Sequence, residues 1–543
     1  MPFTHRTAVS RLAVALMAAC LGITAAAAHG RRVADGLKPT QLDITNDTTH
    51  RYGEPEIAVN PTNPNNLVYY VMSNMLTYKC EASGNSNCTK FSNGAPNGEF
   101  ATAGWISTHV FVSFDRGRSW RAVNFPSIPA YRGFTGESTD HSDLISRGDP
   151  MVTVTAGGTF YIGWDAMHLG FQNIPGYGVI GSLIDGGIAV SKSTDGGRTW
   201  SVPVLTGTGV DRPWMTTDLS TGAVYEASSG FVNGSMSTGN PALPIFSSPP
   251  DRYVVSSRDG VSWTAPEPLG GGGFSGSKGS FMAAAYGRLA ATFRATTNAA
   301  CEFFVSAAAP CVVFETSTDS GMDWTRHPVP GLATSTGTIL VAANPVRRGT
   351  FTVSALDAGG TRNLVVVTHD YGSSWTGPSV VTDDPGTTKF KTWINYAPDG
   401  VLALMWRSVL PTSSATGTPT SSATLQPDTD TAQALLIRRH CGYLGCGLER
   451  DANDDPAPPG SYQVWAAVSN DSGKSFSLPL RISSAPSPPP DPNMLGGTDD
   501  TSVVALSNQD VFVGWGDWRP GDVAGFFSAV KLQAFHYPGD HRR

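Results

Sequence analysis

Three arginines stand at equivalent points of the sequence: Arg294, Arg407 and Arg519 each follow a short segment rich in β-forming residues. A guanidinium group can hold a carboxylate through two parallel hydrogen bonds. Three such groups converging on one cavity would bind the carboxylate of an acidic ligand. We therefore predict that these arginines bind a substrate carboxylate.

Side chains that can transfer protons occupy similar points. Asp149 comes just before one β-rich segment, and Asp165 and His168 come just after the next. A carboxylic acid can protonate a leaving oxygen, and a histidine can remove a proton. We predict that Asp149, Asp165 and His168 are catalytic residues, provided that the elements around them bring them to one place.

The elements that must position these residues belong to a repeat. SFDRGRSW (113–120) returns in STDGGRTW, STDSGMDW and THDYGSSW, with a final Phe in SNDSGKSF and one residue less in SRDGVSW. Each copy lies between two extended segments, and its Asp and Ser side chains can bond turn amides while its Gly accepts a positive φ. The motif predicts a hairpin turn. Its six aspartates are Asp115, Asp195, Asp259, Asp319, Asp370 and Asp471.

Two more β-rich segments precede each of these hairpins, which gives four antiparallel strands per unit. Four-stranded units repeated along a chain indicate a β-propeller. A seventh pair, DTSVVALS and DVFVGWGD, precedes one further segment, and QLDITND (41–47) supplies the missing fourth strand. We predict an all-β fold in which residues 41–543 form one propeller, with seven blades favoured over six.

The repeated motif resembles the Asp-box, or BNR repeat, of the sialidase-like propeller superfamily. That resemblance implies a glycoside hydrolase with an arginine triad for the sugar carboxylate, an acidic acid/base residue and a tyrosine–glutamate nucleophile pair. RYGEPEIAV does not match the F/Y-R-I-P stretch of sialidases. The tyrosine stays open among Tyr52, Tyr131, Tyr177 and Tyr396.

The long insertions all follow the second strand of a unit, at 74–106, 165–185, 229–252, 295–310 and 408–460. Strand order puts them on the face away from the hairpin turns, so we expect the functional site on that face. Three cysteine pairs lie within insertions, and short-range pairs in an exported chain indicate disulfides. The pairs are Cys80 with Cys88, Cys301 with Cys311, and Cys441 with Cys446.

The first residues read as a targeting segment. Arg6 and Arg11 precede an apolar run and an AAAA stretch, which predicts a secretory signal over 1–28, followed by a linker over 29–40. Removing those two arginines changes the net charge from −7 to −9, which does not favour nucleic-acid binding. No later apolar run approaches the ~20 residues of a membrane span. We expect a secreted, extracellular or periplasmic monomer without a cofactor or metal.

These observations favour a secreted sialidase-like glycoside hydrolase that acts on an acidic sugar terminus, sialic acid or a relative. A polysaccharide lyase could use the same arginines on a uronate carboxylate, with His168 or a tyrosine removing the neighbouring proton. A propeller that binds glycan or protein without chemistry is the third hypothesis.

Overall fold

The computed structural model is all-β and consists of seven four-stranded antiparallel sheets. None of the helices in the part of the chain it describes is long and apolar enough to span a membrane. The described residues are 39–46, 50–75, 106–123, 144–174, 178–206, 213–229, 252–269, 281–295, 298–381, 384, 387–411, 460–489, 502–520 and 523–538.

Each sheet is one blade, and its strands follow the order A to D from the axis outward. Blade I contains β2 (His50–Val59), β3 (Leu67–Met75), β4 (Ile106–Ser113) and β5 (Arg121–Val123). Blade II contains β6 (Leu144–Val154), β7 (Phe160–Ile174), β8 (Gly178–Ser193) and β9 (Val204–Leu205). Blade III contains β10 (Trp214–Thr217), β11 (Val224–Ser229), β12 (Arg252–Ser257) and β13 (Glu267–Pro268).

Blades IV to VI repeat this order. Blade IV contains β14 (Phe281–Ala285), β15 (Arg288–Ala295), β16 (Cys311–Ser317) and β17 (Thr325–Pro328), with helix α1 (Asn298–Val305) between the second and third strands. Blade V contains β18 (Thr336–Ala343), β19 (Phe351–Leu356), β20 (Asn363–Thr368) and β21 (Thr376–Val381). Blade VI contains β22 (Lys389–Tyr396), β23 (Leu402–Val409), β24 (Tyr462–Ser469) and β25 (Leu480–Arg481).

Blade VII joins the two ends of the described chain. Its strands A, B and C are β26 (Ser502–Leu506), β27 (Asp510–Asp517) and β28 (Ala524–Lys531), and its strand D is β1 (Thr40–Asp43). The pairing runs from Thr40 opposite Ala529 to Asp43 opposite Phe526. The predictions of seven blades and of closure by the segment at 41–47 are confirmed, with the strand one residue earlier at its start.

The six repeated hairpin turns join strands C and D, as predicted, and each is held by its own side chains. In blade II, Asp195 accepts hydrogen bonds from the backbone N–H of Thr199 (3.0 Å) and from its hydroxyl (2.6 Å). Burial would raise the pKa of Asp195, but these bonds and one from Ser193 bring it below its usual value. Gly197 has φ +89°, and a Cβ there would lie 2.6 Å from Val112 in blade I. The turn therefore also locks neighbouring blades together.

Two insertions differ from the expected loops. Residues 165–185 of blade II largely continue β7 and β8 as a long hairpin, in which His168 stands opposite Asp185. Asp165 and His168 thus lie within β7 rather than after it. The blade IV insertion holds helix α1, which the composition did not predict, and a disulfide between Cys301 and Cys311. Cys80, Cys88, Cys441 and Cys446 lie outside the described residues.

A buried carboxyl in blade IV should make stability depend on pH. Glu315 in β16 is fully buried with Arg326 Nε 3.5 Å from Oε2, and burial outweighs that attraction and raises the pKa of Glu315 to about 8. In the unfolded chain glutamate releases its proton near its ordinary pKa of 4.5, so the free energy of unfolding should fall as the pH rises between the two values. Glu315→Gln should flatten that slope in urea titrations at pH 5 to 8. The more accessible Glu267→Gln is the control, and equal slopes in wild type and Glu315→Gln would contradict the expectation.

Candidate active site

The inner strands begin at the end of the propeller where the D–A links and the B–C connections meet, which we call the mouth. In blades I, II and VI the pairing of strand A with strand B is interrupted by a β-bulge near this end. One residue in each bulge has a positive φ: Glu54 (53°), Asp149 (50°) and Lys391 (47°). Such backbone is uncommon outside glycine and gathers at functional sites. It also occurs in C–D turns, as at Arg116, but at the mouth it falls on inner-strand residues, two of which are acids. The mouth is therefore the candidate active site.

Two of these bulges are tied to each other. The backbone N–H of Asp149 donates to Glu54 Oε2 at 3.0 Å, so the carboxylate of one blade fixes the backbone of the next. Glu54 is buried, whereas Asp149 is partly exposed. Asp165 stands opposite Gly148 in the β6–β7 pairing, and His168 stands opposite Leu144. Asp149 and Asp165 are thus neighbours along the sheet, while His168 lies farther from the bulge.

Glu56 is a carboxyl that the sequence analysis did not select. It lies two residues after Glu54 on the inner strand of blade I and lines the cavity on the propeller axis. Burial raises its pKa well above the usual range for glutamate. The alternation of Glu54 and Glu56 in GEPEIAV is visible in the sequence, but nothing local indicates that Glu56 borders a cavity.

The three arginines lie on blades IV, VI and VII and have different surroundings. Arg294 is partly exposed at the end of β15 and donates from Nη2 to Ser335 Oγ at 2.8 Å. Arg407 is fully buried, with its guanidinium 5.1 Å from the ring centre of Tyr462. Arg519 donates to Asp517 from Nε (2.8 Å) and Nη2 (2.7 Å). An internal carboxylate therefore already occupies the fork of Arg519, and the predicted substrate role of the set stays a prediction.

A buried ionic cluster joins the link between blades V and VI to strands A and B of blade VI. Lys389 Nζ lies 2.8 Å from Asp384 Oδ1 and 2.9 Å from Ser408 Oγ, and Trp406 Nε1 donates to Asp384 Oδ2 at 3.1 Å. The side chains of Lys389 and Asp384 are 2% and 0% exposed. Their charges are compensated by each other and by hydrogen bonds, as a buried pair requires. The cluster holds the link in place at the mouth.

Two of the candidate tyrosines are described. Tyr52 is buried with its ring edge-on to His109, the centroids 5.6 Å apart. Tyr396 is buried at the other end of its strand, where its hydroxyl lies 2.6 Å from Thr352 Oγ1 and burial raises its pKa. That position is away from the mouth. Tyr131 and Tyr177 lie outside the described residues.

The sequence matches no family model and no curated protein. Solved structures with a similar fold include the Hadza microbial sialidase Hz136, with 16% identity, a TM-score of 0.39, and coverage of 79% of this chain and 74% of that one. The NanB sialidase from Streptococcus pneumoniae has 12% identity, a TM-score of 0.38, and coverage of 91% and 71%. The GH93 alpha-L-arabinofuranosidase of Fusarium graminearum has 13% identity, a TM-score of 0.39, and coverage of 68% and 93%.

At these identities the likeness concerns the fold alone. The protein is a seven-bladed β-propeller.

The buried cluster of blade VI should be essential for stability. Lys389→Met leaves Asp384 buried without its cation, and breaking a buried pair in this way costs about 3–5 kcal/mol. Chemical unfolding would measure the loss. The control is Lys531→Met, which removes an ion pair to Asp510 from a side chain that is 37% exposed and should cost only about 0–1 kcal/mol. Similar losses in the two variants would contradict a compensated buried pair at Lys389.

Proposed function

We propose that this protein is a glycoside hydrolase whose active site lies at the mouth of the propeller. The observation that carries the proposal is the hydrogen bond between Glu54 and Asp149, which joins two acidic residues on the bulges of adjacent blades. Most glycoside hydrolases use a pair of carboxyl groups, one of which protonates the leaving oxygen. The mouth brings Glu54 and Asp149 together across two blades, and Asp165 stands opposite Gly148 in the second of them.

In this proposal Asp149 is the acid. It is partly exposed, so a glycosidic oxygen can approach it, and its backbone is fixed by Glu54. Glu54 is a positioning residue because its carboxylate is engaged with the Asp149 N–H. Asp165, which is opposite Gly148 in the neighbouring strand, is the candidate second carboxylate, acting on water or on the positive charge that develops on the sugar.

The finer proposal is that the sugar is acidic, sialic acid or a relative. Arg294 supports it best among the three arginines, since it is partly exposed at the mouth end of β15 and its bond to Ser335 engages a neutral partner. At Arg519 a substrate carboxylate would have to compete with Asp517.

Asp149→Asn tests the acid. Asparagine tolerates a positive φ about as well as aspartate, so the bulge should survive while the proton donor is lost. Hydrolysis of the best substrate in a panel of fluorogenic sialosides, uronides and arabinofuranosides should fall by about 10²–10⁴-fold. The same substitution at the exposed Asp399, in the A–B turn of blade VI, is the control.

Two results would contradict the proposed hydrolase activity. Full activity in Asp149→Asn would remove Asp149 from the chemistry. A wild-type protein that releases no fluorophore would leave the lyase or the non-catalytic propeller, and an absorbance assay for unsaturated uronates on the same samples would distinguish these.

Arg294→Lys tests whether the substrate sugar carries a carboxylate. Lysine keeps the charge but cannot form the two parallel bonds of a guanidinium, so KM should rise for acidic substrates and stay constant for neutral ones. Steady-state kinetics on both substrate types would measure the difference. Arg288→Lys is a matched control, because Arg288 begins the same strand at the far end from the mouth. An equal rise of KM for neutral substrates would contradict carboxylate recognition by Arg294.

A further inference from the structure

All seven inner strands surround a cavity of about 190 Å³ on the propeller axis. Its lining begins at Glu56, Trp214 and Trp393 and continues to Pro61 and Pro398, which lie in A–B turns. The A–B turns are at the opposite end of the blades from the mouth. The cavity is thus a different place from the candidate active site, although both depend on the inner strands.

The cavity has one formal charge. Among its lining residues in the described part of the chain, Glu56 is the only carboxyl, and the lining contains no lysine, arginine or histidine. Tyr396 also lines it, and Tyr70 stands opposite Glu56 in the β2–β3 pairing, but both are neutral near pH 7. The nearest charged residues along these strands, Glu54 and Asp149, are also acids and cannot neutralise Glu56. Any charged ligand that the cavity accepts should therefore be a cation.

The surroundings of Glu56 leave its negative charge without compensation. Burial is the sole cause that raises its pKa, and no described cation or hydrogen-bond donor opposes it. This differs from Glu315, which has Arg326, and from Asp384, which has Lys389. Burial disfavours the charged form of Glu56, so a cation bound in the cavity would stabilise the ionised carboxylate.

Aromatic rings from three blades meet at the same end of the cavity. The ring centroids of Trp214 and Trp393 are 5.0 Å apart, and Phe281 lies 4.5 Å from Trp214. Trp214 Nε1 donates to the carbonyl of Met282 at 2.9 Å, which fixes the indole. The face of an indole attracts cations, and aromatic groups beside a carboxylate are suited to substituted ammonium ions.

We propose that the axial cavity binds a small organic cation with an ammonium group, whose charge pairs with Glu56 and whose carbon substituents contact Trp214 and Trp393. A divalent metal ion suits the cavity less well, because calcium takes six to eight oxygen ligands and the lining offers a single carboxylate. A neutral sugar would not supply the missing charge. The ligand class follows from the presence of one acid and two indoles in the lining of the same cavity.

Isothermal titration of the full chain with choline and with methylammonium tests this site. The buffer is sodium phosphate, because Tris is itself an ammonium ion. At least one of the two probes should bind, and 3,3-dimethylbutan-1-ol, the uncharged analogue of choline, should bind about tenfold or more weakly. Glu56→Gln, which keeps the shape of the side chain and removes its charge, should weaken binding of the cation by about tenfold or more. Asp399→Asn, beside the A–B end of the cavity, should bind like wild type.

The outcomes separate this site from the proposed hydrolase. Asp149→Asn should bind the cation like wild type even if it hydrolyses nothing, since Asp149 does not line the cavity. The proposal is overturned if neither cation binds, if the uncharged analogue binds as well as choline, or if a monosaccharide binds in place of both. The comparison of choline with its analogue on wild-type protein decides the matter even if Glu56→Gln fails to fold.

Discussion

The pairing of β1 with β28 is the interaction on which the rest of the propeller depends. Four residue pairs, from Thr40 with Ala529 to Asp43 with Phe526, supply the outer strand of blade VII and join the start of the described chain to its end. Without them β28 would be an exposed edge of unpaired amides. Closure also fixes where the seven inner strands stand relative to the axis. Blade I also packs on blade VII through β2 against β26 and β27, which completes the circle around the mouth and the axial cavity.

Carboxylates fix the backbone at both ends of the propeller. At the turns between strands C and D, aspartates such as Asp195 satisfy backbone amides within their own hairpin, and glycines such as Gly197 let the turn press against the preceding blade. At the mouth the carboxylate of Glu54 accepts a hydrogen bond from the backbone of Asp149 in the next blade. Side chains thus hold both the turns and the bulges in backbone conformations that glycine usually provides.

Much of the fold could be predicted from the sequence because it repeats. Each of the six turn motifs is preceded by a pair of strands, which defines six blades. The seventh blade lacks one strand, and the segment at 41–47 supplies it. The continuation of β7 into the insertion could not be predicted, since Asp165 and His168 remain in a strand only while β8 pairs alongside them. Asp149 can be chosen as a candidate from its place before a strand, and its catalytic role stays a prediction. The position of Glu56 in the lining of the cavity depends on what six other blades bring to the axis. Asp517 is two residues before Arg519, yet only the fold indicates that they pair.

The closing strand also sets the order in which parts of the chain can fold during synthesis. Thr40 leaves the ribosome early, but its partner Ala529 follows 489 residues later. Contacts so distant in sequence are slow to form, and blades made earlier can assemble their local hairpins while β1 waits unpaired. Closure buries the faces of blades I and VII against each other, where the ring of Trp120 packs on that of Phe527. Apolar surface of this kind favours association with other chains while it is exposed, so completion of the ring removes that hazard.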